Sequence, residues 1–299
     1  PDPRVRLEVV TALRTLRDAS GVPSLVTSLQ DGDPKIREEA ISALVEIYAE
    51  RDRSGPIERF LESFSDEYER ASVEPYTEVS AAVFKGLAGA LRDEEKRIRV
   101  EAAYAIGILG GESVADDLAV AVLDPEADVR AAAATALGKV GTAEQGRALI
   151  PLLADRSLSV RNRALQAVGV LRVREAGPPL RETFEQNRRR ERGRRALVAL
   201  ARIGDPGQAD LFRELLTSND PERRRLAVEG LGRIADPALL PAFKKDYQRE
   251  RSDEVRLAYN FAIALLGDHA FLDSIVLALG GSGSISARAR AYLLELGPS

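Results

Sequence analysis

Residues 124–141 indicate the fold of this chain most clearly; they read Asp-Pro-Glu-Ala-Asp-Val-Arg-Ala-Ala-Ala-Ala-Thr-Ala-Leu-Gly-Lys-Val-Gly. Asp124-Pro125 suits a helix start, because Asp caps free backbone N–H groups and Pro fits the first turn. Gly141 suits a helix end, because glycine tolerates the left-handed backbone found there. The apolar residues at helical spacing are Val129, Ala133, Ala136, Leu137 and Val140. The stretch therefore predicts one amphipathic helix, whose small alanines allow close packing against a neighbour.

A second apolar segment, residues 148–153, follows before Asp155 opens a similar stretch. Two helices joined by a short turn make a hairpin of about 31 residues, too small to bury its own apolar face. We therefore expect the hairpin to be one unit of a larger stack.

An arginine that follows Val or Ile in most copies returns along the chain at the interval of this unit. Successive members are 31, 62, 31 and 31 residues apart in the first group, and 32 apart in the second; they are Arg6, Arg37, Arg99, Arg130 and Arg161, then Arg224 and Arg256. A period of this size is typical of stacked-repeat proteins. We predict an all-α solenoid of about nine two-helix repeats, forming one array over residues 1–299.

An aspartate stands six residues before several of these arginines. The four aspartates are Asp31, Asp93, Asp124 and Asp155. A guanidinium fork can bind carboxylates and loop carbonyls of its own and the adjoining repeat. We therefore interpret the arginines and aspartates as a structural ladder. A repeated ligand site is the alternative, and it is less favoured because a position fixed in every unit usually serves the stacking.

Three regions depart from the pattern. Residues 48–93 contain helical sequence without the Asp-Pro-x-Val-Arg start, which indicates a degenerate or extended repeat. A later repeat has Gly193 where the arginine should stand. The last segment, residues 285–299, is expected to form a terminal capping helix.

The pattern Asp-Pro-x-Val-Arg-x-x-Ala-x-x-Ala-Leu-x-x-Val-Gly resembles the HEAT-like repeats of phycobilisome lyase subunits and many bacterial relatives. Residues 124–141 carry it with a lead two residues longer, and the resemblance covers nearly the whole chain. It implies a right-handed superhelix, with first helices on the convex side and second helices lining the concave side. The resemblance also implies an adaptor or scaffold, because most proteins with such repeats resemble adaptors or scaffolds. The repeats are specific for the fold and poor guides to activity.

The composition argues against several enzyme classes. The chain has no cysteine and a single histidine, His269, which we interpret as an exposed turn residue. Thiolate chemistry, histidine triads and most zinc or iron sites are therefore excluded, including the iron centre that a resemblance to deoxyhypusine hydroxylase would require. We predict no catalytic residue, metal ligand or cofactor.

No stretch of sequence reaches the roughly 18 to 20 continuous apolar residues that a membrane span needs. The cytoplasm is favoured as the compartment, with a targeting segment lost ahead of Pro1 as the open alternative.

Charge is unevenly distributed. Residues 1–124 contain 15 Lys or Arg against 25 Asp or Glu, whereas residues 125–299 contain 28 against 22. The strongest basic feature comprises Arg188, Arg189, Arg190, Arg192, Arg194 and Arg195, at the start of a first helix. These like charges repel each other and the positive helix end, so an acidic partner would relieve both costs. Neutralisation by Glu185 and Glu191 is the open alternative.

A fainter basic column is expected on the second helices of the later repeats. Its members are Arg181, Arg213 and Lys244, with Lys245 beside the last. We predict a non-enzymatic scaffold that binds an acidic protein surface or peptide through this concave face and the basic cluster. A nucleic-acid-binding solenoid and a phycobilin-lyase-like chaperone subunit are the alternatives, the former weakened by the scarcity of aromatic residues for base stacking.

Overall fold

The computed structural model describes residues 2–48, 78–281 and 283–297. These residues form α-helices joined by short 3-10 turns and loops, and they contain no β-strand, so the predicted all-α class is confirmed. In chain order the helices are α1 Pro3–Leu16, α2 Val22–Ser28, α3 Pro34–Tyr48, α4 Ala81–Ala90, α5 Lys96–Leu109, α6 Ala115–Ala121, α7 Ala127–Val140, α8 Ala143–Gly146, α9 Leu158–Val170, α10 Gly177–Gln186, α11 Glu191–Ile203, α12 Ala209–Leu215, α13 Pro221–Ile234, α14 Leu240–Arg249, α15 Asp253–Leu265, α16 Leu272–Ala278 and α17 Ser284–Leu296. They make eight successive pairs and a final helix.

The chain divides into two compact units, residues 1–167 and residues 168–299. In the first unit the first helices α1, α3, α5 and α7 pack side by side in sequence order. The second helices α2, α4 and α6 each pack against the first helix that follows them. The apolar residue just before the repeated arginine is buried at Ile36, Ile98 and Val129, whereas Val5 in α1 is 56% exposed.

The predicted irregular repeat at 48–93 is represented by α4, since residues 49–77 lie outside the described part of the chain. Helix α3 packs directly against α5, as α1 packs against α3. Helix α4 in turn packs beside α2 and against α5, as a second helix does. One repeat step therefore separates α3 from α5, although their arginines are 62 residues apart. The extra sequence is inserted between the two helices of a single repeat.

The second unit continues the scheme with first helices α11, α13 and α15, against which α10, α12 and α14 pack. The final helix α17 packs on α15 and α16. Its residues Ala289 and Tyr292 are buried with Phe261 of α15 and Ile275 of α16. The Tyr292 and Phe261 rings stack with centroids 4.2 Å apart.

The end of α7 differs from the sequence prediction. Gly141 follows the helix with φ −82° and ψ 172°, an extended conformation, so the expected left-handed backbone is wrong at this position. Glycine is needed there for space, because a Cβ atom would lie 2.7 Å from the carbonyl oxygen of Leu137. Left-handed glycines do end α5 and α11, at Gly110 and Gly204.

Candidate functional site: an arginine ladder and an arginine-lined pocket

The repeated arginines of the first unit bridge neighbouring repeats along the loop edge. Nε of Arg130 donates to the Asp155 carboxylate of the next repeat at 2.8 Å, and a terminal nitrogen donates to the Asp124 carbonyl of its own loop at 2.8 Å. Each aspartate also accepts a hydrogen bond from the backbone N–H two residues later, as Asp124 does from Glu126. The arginine–carboxylate pairs of this kind are Arg6–Asp31, Arg37–Asp93, Arg99–Asp124 and Arg130–Asp155.

These contacts favour the ionised aspartates. The hydrogen bond from Arg6 is the main cause that lowers the pKa of Asp31 to about 2. At Asp93, burial acts to raise the pKa, but hydrogen bonds from Arg37 and from a backbone N–H outweigh it and lower the pKa overall. The ladder is therefore formed from charged groups at neutral pH.

The remaining ladder arginines, Arg161, Arg224 and Arg256, have partners other than an aspartate side chain among the contacts described below. Arg161 donates to the Asp155 carbonyl at 2.5 Å. Arg224 pairs with Glu250 at 2.9 Å, so a glutamate replaces the aspartate. Arg256 lies over the Tyr247 ring, 4.8 Å from its centroid. Sequence reasoning missed Glu250, although it stands six residues before Arg256, the same offset as the aspartates.

At the position where the ladder arginine is replaced, Gly193 lies against the turn that precedes α11. A Cβ atom on Gly193 would lie 2.1 Å from the carbonyl oxygen of Asn187. The same carbonyl accepts a hydrogen bond from the Arg190 N–H at 2.8 Å. Glycine at position 193 thus lets the turn at residues 187–190 pack tightly against the first turn of α11. The basic cluster comprises residues of both turns.

The structure separates the six arginines of the cluster by their partners. Arg188 binds Glu185 at 2.6 Å and Glu214 at 3.0 Å. Arg194 and Arg195 share Glu191, at 2.8 and 2.9 Å respectively, and Arg194 also reaches Glu222 at 3.1 Å. The sequence-based alternative of internal neutralisation therefore describes part of the cluster. Arg192 is half-buried, as are Arg188 and Arg194. The exposed members without an ion pair among the described residues are Arg189 and Arg190.

A pocket of about 220 Å³ opens beside this turn. Five arginines, three carboxylates and three buried apolar side chains line it. The lining residues are Phe184, Arg188, Arg189, Arg190, Glu191, Arg194, Leu197, Asp220, Glu222, Arg223 and Leu226. Arg223 fixes the pocket's shape, because its terminal nitrogen donates to the Arg188 carbonyl at 2.5 Å.

The predicted basic column on the second helices is partly neutralised. Arg181 forms a two-pronged pair with Asp210, with distances of 2.7 and 2.8 Å. Lys244 lies 2.5 Å from the Asp268 carboxylate. The exposed column residues without an ion pair in the described part of the chain are Arg213 and Lys245. A carboxylate one repeat further on, which sequence reasoning did not consider, balances each of the two paired cations.

A buried ionic cluster lies under α17, and sequence reasoning missed it. Glu229 accepts hydrogen bonds from Arg225 at 2.6 Å and from the Tyr292 hydroxyl. Arg233 donates twice to Glu295 at 3.0 Å. Burial acts to raise the pKa of Glu229, but the surrounding guanidinium groups and the Tyr292 hydroxyl lower it to about 2. The cluster joins α17 to α13 by charged groups.

The described residues contain no group of three or more His, Cys, Asp or Glu side chains able to hold a metal ion. His269 is exposed in a short 3-10 turn. Within the same residues, no helix is both long and apolar enough to cross a membrane.

Comparison with known proteins identifies the family. The family model described as HEAT repeats matches residues 1–76, 84–169, 118–197 and 177–264. The chain therefore belongs to the HEAT-repeat family. No curated protein matches it.

Three solved structures similar to the chain are 18 to 21% identical to it. An engineered protein is 21% identical, with 71% of this chain and 96% of that one covered, at a TM-score of 0.49. The complex of CpcE and CpcF of phycocyanin lyase from Nostoc sp. PCC7120 is 20% identical, with 92% and 94% covered, at a TM-score of 0.46. A second engineered protein is 18% identical, with 98% and 93% covered, at a TM-score of 0.46.

Proposed function

We propose that this HEAT-repeat chain is a non-enzymatic scaffold that binds an acidic protein partner through the basic cluster of its second unit. Stacked helical repeats typically provide long surfaces for protein interaction. The observation that carries the proposal is the tight turn at residues 187–190, which presents exposed Arg189 and Arg190 beside a pocket. Exposed cations on a fixed turn are available to carboxylates of a partner at little cost in ordering.

The loop edge supports this proposal better than the face of the second helices does. Arg181 and Lys244 are already paired with Asp210 and Asp268, so binding there would have to displace an internal carboxylate. Arg189 and Arg190 require no such exchange. The basic cluster is therefore the expected contact surface.

The same pairing disfavours nucleic acid as the partner. A phosphate backbone is followed by a continuous track of cations, each neutralising one phosphate. The column of the second helices offers alternating neutralised and exposed positions instead, and the pocket is a local feature. A protein partner with one acidic segment fits this distribution.

The proposal is tested by measuring the anisotropy of two labelled probes, a peptide of ten alternating Glu and Gly residues and a single strand of twelve thymidines, each titrated with the protein. We expect the peptide to bind more tightly at 150 mM salt. We also expect Arg189→Glu/Arg190→Glu to reduce its affinity at least tenfold, since each cation becomes a repulsive charge.

The control is Arg156→Glu, which reverses an exposed arginine of the first unit. It should leave peptide affinity within about twofold, because Arg156 belongs neither to the basic cluster nor to the pocket lining. Binding of the thymidine strand alone, or equal losses in both variants, would refute the proposal.

A further inference from the structure

The pocket beside residues 187–190 has an excess of positive charge. Its walls contain five arginines and three carboxylates, and arginine stays protonated at any physiological pH. Arg188, Arg194 and Arg223 form ion pairs with carboxylates. Among the described residues this leaves two positive charges of the lining, those of Arg189 and Arg190, without an ion pair. The pocket is therefore matched to a dianion rather than to a single carboxylate.

The arginines of the pocket fall into supporting and available groups. Arg188 and Arg194 use their donors on glutamates, and Arg223 donates to the Arg188 carbonyl. These contacts fix the walls. Arg189 and Arg190 are exposed and lack an ion pair among the described residues, so an entering anion meets their guanidinium groups first.

The pocket lining also favours a doubly charged group over a singly charged one. Phe184, Leu197 and Leu226 belong to the lining, and each is at most 2% exposed. Apolar neighbours strengthen the interaction of an anion with arginine. A phosphodiester carries one negative charge, so it would leave one of the two guanidinium groups without a counter-charge.

We propose that this pocket binds a phosphomonoester, carried by a phosphorylated serine or threonine of the protein partner. This inference rests on the proposed function and specifies its ligand. A phosphomonoester has a charge of about −1.5 to −2 at pH 7 and three acceptor oxygens, which suit guanidinium forks. An ionised aspartate side chain has a charge of −1 and two oxygens, so it satisfies the pocket less fully.

The test uses three labelled peptides with the sequence Gly-Ala-Leu-X-Leu-Ala-Gly, in which X is phosphoserine, aspartate or serine. The phosphoserine peptide should bind at least tenfold more tightly than the aspartate peptide, and the serine peptide should not bind measurably. Arg189→Ala and Arg190→Ala should each lower phosphopeptide affinity by about tenfold, as expected for a lost hydrogen bond to a charged group.

The matched control is Arg195→Ala, because Arg195 belongs to the same cluster but does not line the pocket and pairs with Glu191. It should change phosphopeptide affinity by less than about threefold. Thermal unfolding of each variant shows whether it folds, and exposed positions such as Arg189 and Arg190 are expected to tolerate alanine.

The outcomes separate this inference from the proposed function. Equal affinities for the phosphoserine and aspartate peptides would overturn phosphomonoester recognition and leave an acidic partner supported. Competition by inorganic phosphate as strong as by unlabelled phosphopeptide would overturn the assignment to a protein-borne group. Failure of both anionic peptides, together with binding of the thymidine strand, would overturn the inference and the proposed function.

Discussion

Arg130 shows how a single residue holds two repeats together. Its guanidinium group joins the Asp124 carbonyl to the Asp155 carboxylate, and both charged side chains are less than 10% exposed. Removing one partner of such a pair leaves a buried charge without compensation. Arg130→Ala is therefore expected to lower the free energy of unfolding by about 3 kcal/mol, measured by urea denaturation.

Arg156→Ala is the control for this substitution, because Arg156 is exposed in the same loop as Asp155. It should change the free energy of unfolding by no more than about 0.5 kcal/mol. Similar losses in the two variants would mean that the ladder contact does not hold the repeats together.

Glu229 predicts a pH dependence of stability. Its pKa is lowered from an ordinary 4.5 to about 2, so the unfolded chain takes up its proton first as the pH falls. The stability due to ionised Glu229 is complete above about pH 4.5 and is lost progressively toward pH 2. Glu229→Gln should be less stable at pH 7, and its free energy of unfolding should decline less steeply between pH 4.5 and 2. Both are measured by circular dichroism at graded urea concentrations.

The exposed Glu8 provides the comparison, because Glu8→Gln should keep the steep decline of the parent protein. Asp31 contributes to the slope in all three proteins, since its pKa is also lowered to about 2. An equally steep loss of stability between pH 4.5 and 2 in the parent and Glu229→Gln proteins would contradict the assigned role of the buried cluster.

The first turn of α11 shows how one helix is adapted to present a site. The close approach of Gly193 to Asn187 leaves no room for a Cβ atom, and the obstacle is backbone. Gly193→Ala should therefore destabilise the second unit by about 1–3 kcal/mol and weaken phosphopeptide binding, measured by thermal unfolding and anisotropy. Gly89→Ala in α4, where a Cβ atom meets nothing within 4 Å, should instead be neutral or stabilising by up to about 1 kcal/mol. Stability losses of equal size would refute the steric explanation.

Helix existence and arginine spacing were predictable from sequence, because they depend on local periodicity and on a repeated motif. The number of repeats in residues 48–93 could not be predicted from sequence, since only the packing of α3 against α5 shows that a single repeat step is present. The partners of Arg181 and Lys244 were also hidden, because Asp210 and Asp268 lie one repeat away on a neighbouring helix. The pocket residue Arg223 belongs to a third helix, so local sequence around residue 188 did not reveal it.

In the molecule as a whole, one repeated scheme serves two purposes. In the first unit the loop edge is occupied by arginine–aspartate pairs, which hold successive repeats together. In the second unit the edge is interrupted at Gly193, and the turn there presents arginines to solvent. We therefore expect partner binding to depend on the second unit's turn and to be insensitive to charge changes on the first unit's surface.

The measurement to make is capture of partners from an extract of the source cells, with and without added nuclease. The proteins compared are the parent, Arg189→Glu/Arg190→Glu and Arg156→Glu. We expect a protein that the parent and Arg156→Glu capture with or without nuclease, and that the double variant does not capture. Phosphatase treatment of the extract should abolish its capture. Capture that requires intact nucleic acid, or that persists unchanged in the double variant, would contradict the proposed function.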